Sequence, residues 1–153
     1  MSVSLLSKEE NKTLVEKYPF LIPRNRFSGE VVENYDYEYT ELDTMPIGWR
    51  IAFGEQLCEE LAEELRANNC LESYRISDIK EKWGGLRWYD FGCTEKGHEI
   101  IHKYERLSES LCIRCGNKSD GVTSGWVSPF CQKCADELQL DIYPLENEEN
   151  DNE

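Results

Sequence analysis

Apolar residues recur at helical spacing in three stretches of the chain, and they alternate with polar ones between the second and third. Ser7 stands three residues before Glu10, the spacing at which a capping hydroxyl and a carboxylate satisfy each other's backbone amides, so a short helix is predicted through Lys17. It ends at Tyr18, because the residue before Pro19 resists helical geometry. The second helix is predicted after Thr44, with Thr44 as cap and Pro46 in the first turn. Ile47, Ile51, Leu57, Leu61 and Leu65 form its apolar face, and Glu55, Glu59, Glu60, Glu63 and Glu64 its other sides. It stops near Asn68-Asn69. The third is predicted after Thr94, with Ile100, Ile101, Tyr104, Leu107 and Leu111 on its apolar face. Between them, Tyr74, Ile76, Ile79, Glu81 and Trp83 read as strand positions, and Trp83-Gly84-Gly85-Leu86 as the turn into a second strand. There Leu86 and Trp88 share one face, with Arg87 and Tyr89 on the other.

Residues 18 to 46 lack a helical period. Val31, Tyr35, Tyr37 and Tyr39 alternate with Glu30, Asp36, Glu38 and Glu41, which predicts an extended, half-exposed acidic strand or arm, with an ordinary solvated loop as the alternative.

The cysteines change the picture near the C-terminus. Cys112-x2-Cys115 and Cys131-x2-Cys134, with fifteen residues between the pairs, have the spacing of a four-thiolate zinc site. Each pair supplies two of four tetrahedral ligands from one tight turn. Gly116 follows the first pair, where such a turn needs a left-handed residue. Residues 121 to 130 read as a short hairpin with Val122, Trp126, Val127 and Phe130 as apolar positions, and the second pair enters a helix at Ala135. Turn, hairpin and ligand-bearing helix follow the order of a treble clef. One structural Zn²⁺ is implied, and a catalytic one is not, because four protein thiolates leave no open position. Cys58, Cys70 and Cys93 read as small core or surface residues.

The expected fold class is therefore α+β, with three main helices, a small antiparallel hairpin and a treble-clef-like zinc module. Its divisions are an N-terminal helix and acidic arm over 1–45, a helix–hairpin–helix core over 46–111, the zinc module over 112–141 and an acidic tail over 142–153. Net charge is −14, from 31 acidic and 17 basic residues, which disfavours broad contact with nucleic acid or membrane. The opening residues lack the basic start and apolar run of a signal peptide, and the odd count of seven cysteines suits a reducing compartment. A cytoplasmic location is the expectation.

Three constellations carry candidate chemistry. His98-Glu99-Ile100-Ile101-His102 is an HExxH sequence, in which two histidines one helical turn apart hold zinc and Glu99 serves as general base. The chain has no third histidine, and the longer protease motif is missing downstream. Lys80, Lys82 and Arg87 stand among Trp83, Trp88 and Tyr89, the mixture that single-stranded nucleic acid grooves use, and Arg114 would have to converge with them. The bland alternative makes the tryptophans core anchors and the bases ion-pair partners. The third is acidic: Tyr35, Asp36, Tyr37, Glu38 and Tyr39 on the arm, with Glu30, Glu33, Glu41 and Asp43 beside them, and Glu59 and Glu63 on the long helix. Such a surface suits a basic, nucleic-acid-binding protein partner, with carboxylates standing where phosphates would.

Met45-Pro46-Ile47-Gly48-Trp49, the run Ile79 to Tyr89 (IKEKWGGLRWY) and the ending from Glu105 through Cys134 together resemble a family of small proteins of bacteria, phages and prophages. The resemblance covers about residues 45 to 135 and brings no activity with it. It implies an accessory protein that acts on host machinery, including a defence inhibitor. Composition, spacing and resemblance converge on a non-enzymatic protein that works by binding a protein.

Overall fold

The computed structural model describes residues 4–144. Helix α1 (Lys8–Lys17) carries the predicted reciprocal cap between Ser7 and Glu10, buries Leu14 and Val15, and stops at Tyr18. A 3₁₀ turn, Pro19–Leu21, then drops Phe20 and Leu21 into the core.

The acidic arm is a folded loop, not a strand. Its one ladder contact is an isolated bridge between Arg24 and Val31, and Asn34 and Tyr37 adopt left-handed backbone (φ 59° and 67°). A left-handed residue turns the chain out of any pleat. The alternation survives as burial: Tyr35, Tyr37 and Tyr39 are half-buried, while Asp36 and Glu38 are exposed. Tyr35 packs on Tyr37 at 4.9 Å and edge-on to Tyr39 at 5.8 Å, and its hydroxyl donates to the Tyr39 carbonyl.

The second helix departs from its expected face. Thr40 caps a 3₁₀ turn, Glu41–Thr44, and Pro46 rather than Thr44 precedes α2 (Ile47–Trp49). A π-helical turn, Arg50–Gly54, joins α2 to α3 (Glu55–Ala67). Because π turns bond i to i+5, the backbone rotates less per residue. Positions four apart therefore stay aligned, and Trp49, Phe53, Leu57, Leu61 and Leu65 are the buried series. Ile47 and Ile51, predicted inside, are 47% and 59% exposed.

Strands β1 (Arg75–Lys82) and β2 (Gly85–Phe91) pair antiparallel around a two-residue turn. Trp83 and Gly84, at φ 58° and 83°, supply the left-handed pair such a turn requires. Trp83 is thus a turn residue rather than a strand position. A bulge between Ile76 and Asp78 shifts parity so that Ile79 faces the core with Leu86 and Trp88.

Helix α4 (Glu95–Ser108) starts after Thr94, as predicted, takes Thr94 as its cap and runs along the open edge of β2. Ser108 Oγ accepts from the Leu86 amide at 2.8 Å and Glu105 Oε2 from the Trp88 amide at 2.9 Å. Helix side chains thereby satisfy edge amides that a third strand would otherwise take. Ile101 and Tyr104 fill the core, whereas Leu107, expected on the apolar face, is largely exposed.

The last region holds β3 (Gly121–Val122), β4 (Pro129–Phe130) and α5 (Gln132–Glu137). It is locked to the helical core backbone to backbone. The Gly48 amide donates to the Ile113 carbonyl at 2.9 Å, and Trp49 Nε1 donates to the Leu111 carbonyl at 3.0 Å. A Cβ on Gly48 would lie 2.3 Å from the Cys112 carbonyl oxygen, so only glycine permits this approach. Tyr143 exchanges both backbone hydrogen bonds with Val122, so the first residues assigned to the acidic tail return to the module. Residues 145–153 of that tail lie outside the described residues. Among the described residues no helix is long and apolar enough to cross a membrane.

Candidate metal centre

Cys112 and Cys115 flank a tight turn closed by the Gly116 amide on the Cys112 carbonyl (2.9 Å), with Gly116 at φ 86°. The β3–β4 hairpin then carries the chain to Cys131, whose side chain caps α5 by accepting from the Cys134 amide at 3.4 Å. The four sulfurs all lie within 4.8 Å of one another. Cys115 Sγ and Cys131 Sγ are 3.6 Å apart, far beyond a disulfide and close to the edge of a ZnS₄ tetrahedron, about 3.8 Å for Zn–S bonds of about 2.3 Å. All four cysteines are free.

The electrostatics call for a cation. Burial disfavours the Cys112 thiolate, but the amides of Cys131, Cys115 and Arg114 outweigh it and bring the thiol down to about 7. Burial and the neighbouring sulfurs push Cys134 up to about 12. One thiolate forms readily while Cys115 and Cys134 hold their protons more tightly, unless a metal supplies compensating charge. The donor set fits one zinc, with all four positions filled by protein.

The HExxH residues lie on α4. His98 and His102 stack with ring centroids 6.3 Å apart, but His98 Nε2 turns to Asp90 Oδ1 at 3.1 Å. Glu99 is exposed. The donor atoms that do gather are those of Asp90, Cys93 and His98, within 4.8 Å of one another, and neither His102 nor Glu99 belongs to that group. Burial, with Asp90 beside it, pushes the Cys93 thiol up to about 12. Asp90 is not among the residues singled out by motif, and Cys93 is expected there only as a small core or surface residue; the spacing Asp-x2-Cys-x4-His is the signal that links them to His98.

Lys80 and Arg87 are cross-strand neighbours on the outer face of the hairpin, and Lys82 pairs with Gly85. Lys80 lies 3.7 Å from Asp78 and over the Tyr89 ring, while Arg114 is ion-paired to Glu137 at 2.7 Å. Trp88 is core, as the bland alternative held. Trp83 is not: it is 67% exposed and stacks, at 6.4 Å, on the 65% exposed Trp126 of the cysteine module. Trp126 Nε1 donates to Glu81 Oε1 at 2.8 Å.

The acidic surface is smaller than its sequence. Asp43 is buried in a 2.5 Å ion pair with buried Arg50, and Glu41 is buried as well, its carboxyl raised by burial and partly offset by Arg26. Asp36 pairs with Lys8 at 3.1 Å, and Glu59 accepts from the Tyr18 hydroxyl at 2.5 Å. Glu38 and Glu63 are exposed, although Glu38 lies 3.9 Å from Lys8. No family model, curated protein or solved structure matches the chain.

Proposed function

We propose that this is a non-enzymatic, zinc-stabilised protein that acts by binding another protein. The observation that carries the reading is the Trp83–Trp126 stack, two large aromatic side chains left in solvent where the hairpin tip meets the cysteine module. Exposed tryptophan is costly to solubility and is enriched where protein partners dock. The closed thiolate set supports a structural rather than catalytic role for its metal. The exposed carboxylates Glu38, Asp36 and Glu63 and the net charge of −14 favour a basic partner, such as a nucleic-acid-binding protein whose phosphate-binding face they would occupy. The resemblance of residues 45 to 135 makes a host defence or nucleic-acid-processing factor of a phage-infected bacterium the class to try first.

The test is quantitative capture from bacterial lysate at increasing salt. Wild type is expected to retain a basic protein whose binding weakens with ionic strength, and Trp83→Ala with Trp126→Ala is expected to lose it at unchanged melting temperature. Capture that ignores both the tryptophans and the salt would overturn the reading.

A further inference from the structure

We propose that Asp90, Cys93 and His98 form a second metal site, distinct from the four-cysteine centre, for a borderline divalent cation such as Zn²⁺. Three different local structures deliver its donors. Asp90 ends the inward face of β2, Cys93 follows the left-handed Gly92 in the connecting loop, and His98 sits in the first turns of α4. Their donor atoms lie within 4.8 Å of one another. The 3.1 Å between Asp90 Oδ1 and His98 Nε2 approaches the ligand-to-ligand edge of a tetrahedral site, about 3.3 Å for metal bonds of about 2.0–2.1 Å.

Asp90 is built into place. Its side chain is only 6% exposed, and its second oxygen accepts from the Tyr74 hydroxyl at 2.6 Å, which itself accepts from Trp88 Nε1 at 2.7 Å. Outer hydrogen bonds of this kind orient metal-bound carboxylates. Among the described residues the one cationic group paired with this carboxylate is His98, which is charged only when protonated. This buried carboxylate has no permanently charged cation beside it, and a dication supplies one.

Cys93 is placed by an absence on α4. A Cβ at Gly97 would meet the Cys93 sulfur at 2.5 Å, so glycine at this helical position lets the sulfur sit against the first turn, beside His98. Glycine is otherwise unfavourable in a helix. Three protein donors leave one coordination position, and Asp90, His98, His102 and Glu105 border a surface groove of about 540 Å³ from which water reaches it. When the ion binds, Cys93 releases its thiol proton to solvent and coordinates as thiolate. The site keeps His98 from the HExxH sequence and dispenses with Glu99.

Protein brought to one zinc per chain, checked by elemental analysis, and held reduced by a phosphine, is titrated with Co²⁺. We expect one further equivalent to bind with a thiolate-to-cobalt charge-transfer absorption. His98→Ala and Cys93→Ala, both outside the main core, should weaken it at least tenfold while melting temperature and the first zinc per chain are retained. Tyr74→Phe, which removes the orienting hydroxyl and with it the acceptor of Trp88 Nε1, should weaken it about tenfold. Absence of a second equivalent in the wild type, or its undiminished binding in either alanine variant, overturns the site. The zinc count retained before titration reads the four-cysteine centre separately.

Discussion

The helical core and the cysteine module are held by different kinds of buried matter. The core gathers leucines from α3, aromatic residues from α1 onward, and the inward faces of β2 and α4 into one apolar cluster. The module's buried apolar cluster is Cys112, Phe130, Cys131, Cys134 and Ala135, so three of its five members are prospective ligands. Its helix has six residues and its strands two each. Isolated helices shorter than about 12–15 residues and lone two-stranded hairpins are marginal in water. One region therefore folds by excluding water from hydrocarbon, while the other is equipped to be held by coordination. They share a seam at Gly48, where the two backbones meet.

Removing the metal should break that contrast most violently. Zinc binding to small thiolate modules is worth about 10–16 kcal/mol, comparable with the whole stability of a typical domain. Strong chelation at neutral pH, or Cys112→Ser, is expected to unfold residues 111–143 and lower the melting temperature by at least about 10 °C, followed by circular dichroism. A melting curve indifferent to chelator would mean that the module is held by something other than a metal.

Gly48→Ala attacks the seam itself. The added methyl must displace the Cys112 carbonyl, at a cost of roughly 1–3 kcal/mol. Urea denaturation should show the loss, and zinc affinity should fall with it. A variant that loses stability but binds zinc as tightly as wild type would show the two regions to be uncoupled.

The smallest effect belongs to the core alone. Burial raises the Glu41 carboxyl above its ordinary value, so the folded state holds that proton more tightly than the unfolded chain. Its contribution to stability is present at low pH and is lost as pH rises through the window just above the normal carboxylate range. Glu41→Gln should remove this slope and raise the urea midpoint at pH 7 by no more than about 1 kcal/mol equivalent, with the difference vanishing by pH 4. A gap that widens on acidification would reverse the assignment.

What was legible in the sequence was local. The Ser7 cap, the helix start after Thr94 and the paired cysteines each depend on residues within a few positions of one another and stand where predicted, and the hairpin turn lies one residue before the expected Trp83–Leu86. The π turn was not legible, because a heptad-like count from Ile47 assumes an uninterrupted α-helix and places the wrong isoleucines inside. The tyrosine arm misled for the opposite reason: its alternation reports burial within a loop whose left-handed turns no alternation encodes. Asp43 reads as a surface acid until the chain brings Arg50 to it. The Asp90, Cys93 and His98 cluster needed the turn at Gly92 and the bare backbone at Gly97 before three unremarkable residues became neighbours.

The stacked indoles of Trp83 and Trp126 have a practical corollary. One ring rides on the hairpin tip and the other on the cysteine module, 6.4 Å apart and nearly parallel. Chromophores that close share their excited states, so the pair is a built-in optical gauge of whether the two halves of the molecule are docked, readable without any label.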